Sequence, residues 1–284
     1  MEHNEIQDIQ TEIRERFPDV KFPNVSIQPL QFGRREVFQI PDKKAIVIEF
    51  EGSNPFVSAI CTDSYSLTPF EITVKKLIEA SDEVEQKNGP YEVHISLLKN
   101  GSRLRTWSEF KTDKKPVKKG DDIITSLGFQ SSYDMGWEHT PFFGALRLVC
   151  TNGMTSGVIE KYMSHRHVQT LDLDKQKDAL LTGASMMGDQ LTEWKKWTNL
   201  NIDRKRTFEM MEALPFGEKH KEKILSLPET GTGETLSQWI ENNKVNYWKF
   251  YNIHTQFLSH EVESELVKIE KGKEVSNIFH KMAA

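Results

Sequence analysis

The densest group of residues able to do chemistry lies between Lys99 and Lys119. Lys99, Arg103, Arg105, Lys111, Lys114, Lys115, Lys118 and Lys119 are opposed only by Glu109 and Asp113, a local charge of +6 in a chain whose net charge is −5. Trp107 and Phe110 sit among them. Cations spaced along an extended ribbon attract phosphates, and aromatic rings between them stack unpaired bases. The pattern points to single-stranded nucleic acid, with the basic residues on the backbone and Trp107 or Phe110 on the bases. The plainer account of the same residues is a solvated hairpin whose lysines keep a sheet edge from mispairing.

Other constellations are weaker. Lys195, Lys196, Arg204, Lys205 and Arg206, flanked by Trp194 and Phe208, read as a solvated helix face over a buried tryptophan. His165 and His167 with Cys150 or Asp172 match none of the usual zinc spacings, so no metal is expected. Cys150 would need a base to act as a nucleophile, and nothing in the sequence brings His165 or His167 to its sulfur. A buried structural thiol is the expectation there. Thr230-Gly231-Thr232-Gly233 precedes a helix and resembles an anion cradle, but it lacks a phosphate-loop lysine. It reads as a linker, with a helix cap at Thr232 or Thr235.

The whole chain narrows the class. Its 284 residues, 37% hydrophobic and 28% charged, suit one or two domains of a globular protein. No apolar run is long enough for a membrane span. The acidic, amphipathic N-terminus has no secretory core. Two cysteines fit a reducing interior, so the cytoplasm of a host cell is expected. No phosphate loop, zinc-protease motif or nucleophile elbow is present. The expectation is a binding protein rather than an enzyme, with no cofactor.

Elements to carry these residues follow from the periodicities. Ile6, Ile9, Ile13 and Phe17 mark a short helix stopped by Pro18, followed by an extended linker. Residues 36–40 and 45–50 read as a hairpin turning at Pro41-Asp42-Lys43, with 56–61 as a third strand. Thr68, Pro69 and Glu71 suggest a capped central helix ending at Asn88-Gly89-Pro90. Strands 91–98 and 103–110 flank the turn signal Asn100-Gly101, and 121–150 continues the β structure. Tracts at about 173–198 and 234–270 are helical. The expected class is α+β: residues 1–30 as helix and linker, 31–200 as an α+β core, and 201–284 as a helical region. Trp239, Tyr247, Trp248, Phe250, Tyr251 and Phe257 spread over more than one helix face. That predicts an aromatic surface covered by a second subunit, hence a homo-oligomer.

Three segments carry a resemblance to a family. Arg147-Leu148-Val149-Cys150-Thr151-Asn152-Gly153-Met154, with His165 after it, resembles the "R-[LVI]-V-C-x-N" segment of phage/plasmid-like proteins of the "domain of unknown function 932" family. Ser64-Tyr65-Ser66-Leu67 resembles the entry to that family's central helix. Asn246 to Thr255 resembles its late "W-x-x-Y-N-[AI]-x-T" segment, with His254 where a small residue is expected. Residues 1–30 have no counterpart. The resemblance implies a phage, plasmid or prophage product without an established activity, from genes that often serve replication and recombination. The order of hairpin, helix and basic hairpin also resembles, loosely, the single-strand-annealing recombinases of the Redβ, Erf and Sak types. These act as rings or filaments on single-stranded DNA without a cofactor. The expected function is therefore single-stranded nucleic-acid binding and annealing by an oligomer. The alternative is a phage protein-interaction factor, such as an inhibitor of host defence; a hydrolase using Cys150 with His165 or His167 is a third option.

Overall fold

A computed structural model describes residues 3–32, 38–148, 152–155 and 172–283. Helix α1 (His3–Arg16) buries Ile13 completely, so the N-terminal segment belongs to the core it packs on. Strands β1 (Asn24–Phe32), β2 (Phe38–Glu49) and β3 (Phe56–Cys61) form an antiparallel meander in that order. The expected hairpin at Pro41 is corrected here. Pro41 and Asp42 lie within one twelve-residue strand, and the partner of β2 is β1, in the stretch expected to be a linker. Pro41 is tolerated because β3 pairs with β2 only from Lys44 to Ile48, so the missing N–H costs no rung on that side.

Helix α2 (Phe70–Asn88) lies between two cores. Phe70, Val74 and Ile78 pack with Ile46, Ile48 and Cys61, while Leu77, Ala80 and Val84 pack into the larger cluster that reaches the C-terminal helices. The expected Thr68 cap is replaced. Pro69 is the N-cap with no side-chain bond, and the Phe70 N–H donates instead to the Tyr133 hydroxyl at 2.8 Å. Ring stacking between Phe70 and Tyr133 at 3.8 Å holds that donor and acceptor together.

The second sheet is β4 (Glu92–Leu98), β5 (Arg103–Lys118), β6 (Asp121–Ser132), β7 (Thr140–Arg147) and β8 (Asn152–Thr155), antiparallel in sequence order. Asn100-Gly101 does turn the chain, in a loop where Lys99, Asn100 and Gly101 all take positive φ. Among the described residues six helices follow: α3 (Leu173–Trp197), α4 (Arg204–Ala213), α5 (Glu218–Ser226), α6 (Leu236–Glu241), α7 (Tyr247–Glu261) and α8 (Glu265–Ala283). The architecture is α+β, strand-rich first and helical later.

One face of the second sheet packs under α2 and α3 through Phe110, Leu127, Phe129 and Phe143. The same core runs on into residues 201–284, where Trp239, Tyr247, Trp248, Phe250, Tyr251 and Phe257 are all buried within the chain. Phe279 of α8 meets Tyr251 edge-on at 5.0 Å and lies 5.4 Å from Phe250. The aromatic surface expected to need a second subunit is thus covered by the protein's own helices. Each such ring contributes on the order of 2–3 kcal/mol by burial alone.

Gly128 positions the other face. It stands between Trp107 on β5 and Phe142 on β7 in register. A Cβ there would lie 2.4 Å from the Thr106 carbonyl and 2.3 Å from the Phe142 ring. Gly128→Ala is expected to lower stability by about 1–3 kcal/mol through overpacking. The midpoint of a urea titration measures it, and an unchanged midpoint would show that the ring moves aside freely.

Candidate nucleic-acid interface

Strand alternation divides the basic segment between the two faces of the sheet. Trp107 and Phe110 are three residues apart and therefore point oppositely. Phe110 is fully buried against the helices, which corrects the expectation that it stacks bases. Trp107 is half-buried on the other face, beside Arg105 and Glu109. An irregularity between Glu109 and Lys114 then shifts the register: Lys114 lies opposite Ile124, two residues from Ser126, which lies opposite Glu109. The even-numbered Lys114 thereby joins the face of the odd-numbered Arg105, Trp107, Glu109 and Lys111.

Partners further sort the cations. Arg103 is buried, bonded to Asp134 at 2.9 Å and stacked over Trp137 at 4.9 Å, so it is withdrawn from the proposed contact set. Lys99 bonds the same Asp134 at 2.6 Å. Lys111 is exposed and paired with Glu92, which raises the lysine's pKa and lowers the carboxyl's. Lys115 is tied to Asp113 and to the Thr125 hydroxyl. Lys118 lies 3.9 Å from Asp121. Lys114 and Lys119 are exposed, with no carboxylate paired to them among the described residues.

Two cations that sequence reasoning missed stand with this group. Lys249 of α7 has its pKa lowered by burial; Glu234 and Glu229 act against this, and Lys118 and Lys244 add to it. Its ammonium sits 4.8 Å over the Trp239 ring. Lys118 and Lys244 are 126 positions apart in sequence, so no local signal links them. A buried network does. Arg147 bonds both Asp121 oxygens, at 2.5 and 2.9 Å, and Glu229 at 2.7 Å, while the Trp248 indole N–H donates to Asp121 at 2.8 Å. This network holds α7 against the end of the β5–β6 hairpin.

Glu229 also settles the Gly-rich segment. Its second oxygen accepts from the N–H groups of Gly231 and Thr232 at 3.0 and 2.9 Å. The cradle is filled by the chain's own carboxylate, and the helix after it is capped by Thr235 with Gln238 in a capping box.

The cleft face of β5 carries a second arrangement. His94 stacks on Trp107, ring centroids 5.1 Å apart, and the indole N–H donates to Glu109 at 2.9 Å. His94 Nε2 lies 3.4 Å from the other Glu109 oxygen. That carboxylate raises the imidazole's pKa, and the imidazole lowers the carboxyl's. Next to them, Arg105 lies over the Phe142 ring at 4.5 Å. Between this face and helices α7 and α8 runs a cleft of about 320 Å³.

The second basic stretch behaves as a solvated helix face. Trp194 is buried, and Lys205 and Arg206 pair with Glu209. Cys150, His165 and His167 lie outside the described residues. Among the described residues, no three His, Cys, Asp or Glu side chains are grouped for a metal ion, and no helix is long and apolar enough to cross a membrane.

Compared with known proteins, residues 65–278 match the family model described as domain of unknown function (DUF932). No curated protein and no solved structure matches the chain.

Proposed function

From a chain that belongs to the DUF932 family, whose description carries no activity, we propose a non-catalytic protein that binds and anneals single-stranded nucleic acid. It acts as an oligomer, in the cytoplasm of a bacterial host that carries the phage or plasmid. The observation behind this is the cationic end of the β5–β6 hairpin. Lys114, Lys118 and Lys119 are exposed at this end of the hairpin, and Lys249 of α7 and Lys244 of the α6–α7 loop join Lys118. Half-buried Trp107 lies further along the same strand. Phosphates would be held by lysines, which suits a flexible strand, and nothing in such binding requires an acid, base or nucleophile.

The test is a titration of a labelled single-stranded oligonucleotide at several salt concentrations. With about four phosphates neutralised, log K falls with log salt at a slope of roughly −3 on single strands. Replacing Lys114, Lys118, Lys119 and Lys244 by Glu weakens binding by about 100-fold or more, with the melting curve unchanged. Salt-independent binding, or full affinity in that variant, would reject the reading. Light scattering tests assembly: a mass that stays at 32.9 kDa with and without the oligonucleotide rejects the annealing oligomer.

A protein-interaction factor is the second reading, and β3 favours it. This edge strand exposes Phe56, Val57 and Ile60, with no charged residue between Glu51 and Asp63. Such an edge accepts an added strand. Absence of oligonucleotide binding at low salt would shift the weight to it.

A further inference from the structure

The cleft beside the lysine track suits a different part of a strand from its phosphates. We propose that it receives one unstacked base, a neutral planar heteroaromatic ring laid against Trp107; this rests on the strand-binding reading above.

Its volume, about 320 Å³, lies at the lower end of the range for small-molecule sites. The lining supplies flat π surface. The Trp107 indole is fixed by its bond to Glu109 and backed on one face by His94. The Phe142 ring lies over Gly128, where any side chain would displace it. Hydrogen-bonding groups at the walls include the Ser96, Ser126 and Ser259 side chains. The charges of the lining balance, Arg105 and Lys268 against Glu109 and Glu265, so the cleft offers a phosphate no net attraction. Glu109 and Glu265 both face the cleft, and Lys268 is bonded to Glu265 at 2.7 Å. A neutral ring needs no net charge to be held there and gains from the π surfaces instead.

The roof is open at one position. Gly272 of α8 lines the cleft, and a Cβ built there meets nothing within 4 Å. Continuity with the phosphate track comes from β5 itself. Gly128 and Ile124 of β6, opposite Trp107 and Lys114, are four residues apart, so at about 3.3 Å per residue Trp107 stands roughly 13 Å from Lys114 on the same face, within reach of neighbouring nucleotides.

The experiment compares two probes at low salt: an oligothymidylate about twelve nucleotides long and an abasic sugar–phosphate chain of equal length. The abasic chain is expected to bind about tenfold more weakly, the scale of one lost stacking contact. Gly272→Leu, which replaces a poor helix former by a good one, should fill the cleft without unfolding α8. It should bring oligothymidylate down to the abasic affinity and leave the abasic chain unchanged. Trp107→Leu should do the same from the floor. Equal binding of the two probes, or Gly272→Leu and Trp107→Leu that keep the full difference, would overturn the base pocket alone. Failure of both probes to bind would overturn the strand reading, and the pocket with it.

Discussion

Arg147→Met is expected to remove about 3–5 kcal/mol of stability, the largest single-residue loss in this fold. The Arg147, Asp121 and Glu229 side chains are each exposed by 5% or less. Taking away the guanidinium strands two carboxylates where water cannot reach them. The Trp248 N–H on Asp121, the backbone N–H groups on Glu229 and the exposed Lys118 ammonium 3.9 Å from Asp121 soften the penalty without replacing the guanidinium's direct bonds. The triple change Asp121→Asn, Arg147→Met and Glu229→Gln removes both orphaned charges and should recover most of the loss. Urea unfolding of the single and triple variants measures this. A cost below about 1 kcal/mol for Arg147→Met would show that the network is solvated after all.

The second large effect is acid sensitivity through His254. This side chain is wholly buried in α7, its Nδ1–H donating to the Phe250 carbonyl at 2.5 Å and its Nε2 3.2 Å from the Met211 sulfur. Burial lowers its pKa from 6.5 to about 4. The folded state therefore resists a proton that the unfolded chain takes up near pH 6.5. Its contribution is complete above that pH and is lost as pH falls from 6.5 towards 4, about 3 kcal/mol in all. His94 has the opposite sign. Its pKa is raised by Glu109, so its contribution is present below the unfolded value and lost as pH rises through the folded one. Stability measured from pH 7 to pH 4 in the native chain and in His254→Gln separates the two. The native chain should lose the larger amount, and parallel curves would reject the assignment to His254.

Local signals in the sequence foretold much of the frame. Ile6, Ile9 and Ile13 marked α1, Asn100-Gly101 marked a turn, and the leucine and tryptophan spacing at 173–198 gave α3 to within a residue or two. The first sheet was harder, because Pro29 and Pro41 sit inside strands where a missing N–H goes unused. Within the interface, strand alternation alone separates Trp107 from Phe110, three residues apart on β5. The shift that carries Lys114 onto the cleft face was beyond reach, since a bulge depends on cross-strand register. Lys244 and Lys249 were also beyond reach. The buried network closed by the Asp121–Trp248 bond, across 127 residues, brings them to Lys118. The C-terminal aromatic residues misled for a related reason: their spread over several faces reflected a helix enclosed on all sides by its own chain.

That same long-range bond orders events during synthesis. The β5–β6 hairpin pairs residues close in sequence, so its local contacts can form early, whereas docking α7 must close a far longer loop. A ribosome adding about 5–20 residues per second needs roughly 6–25 s to travel from Asp121 to Trp248. Throughout that interval Asp121 lacks its indole partner, and the hairpin's lysines lack Lys244 and Lys249. The complete cationic patch belongs only to a chain synthesised past residue 249, so a nascent or truncated product displays its hairpin lysines alone.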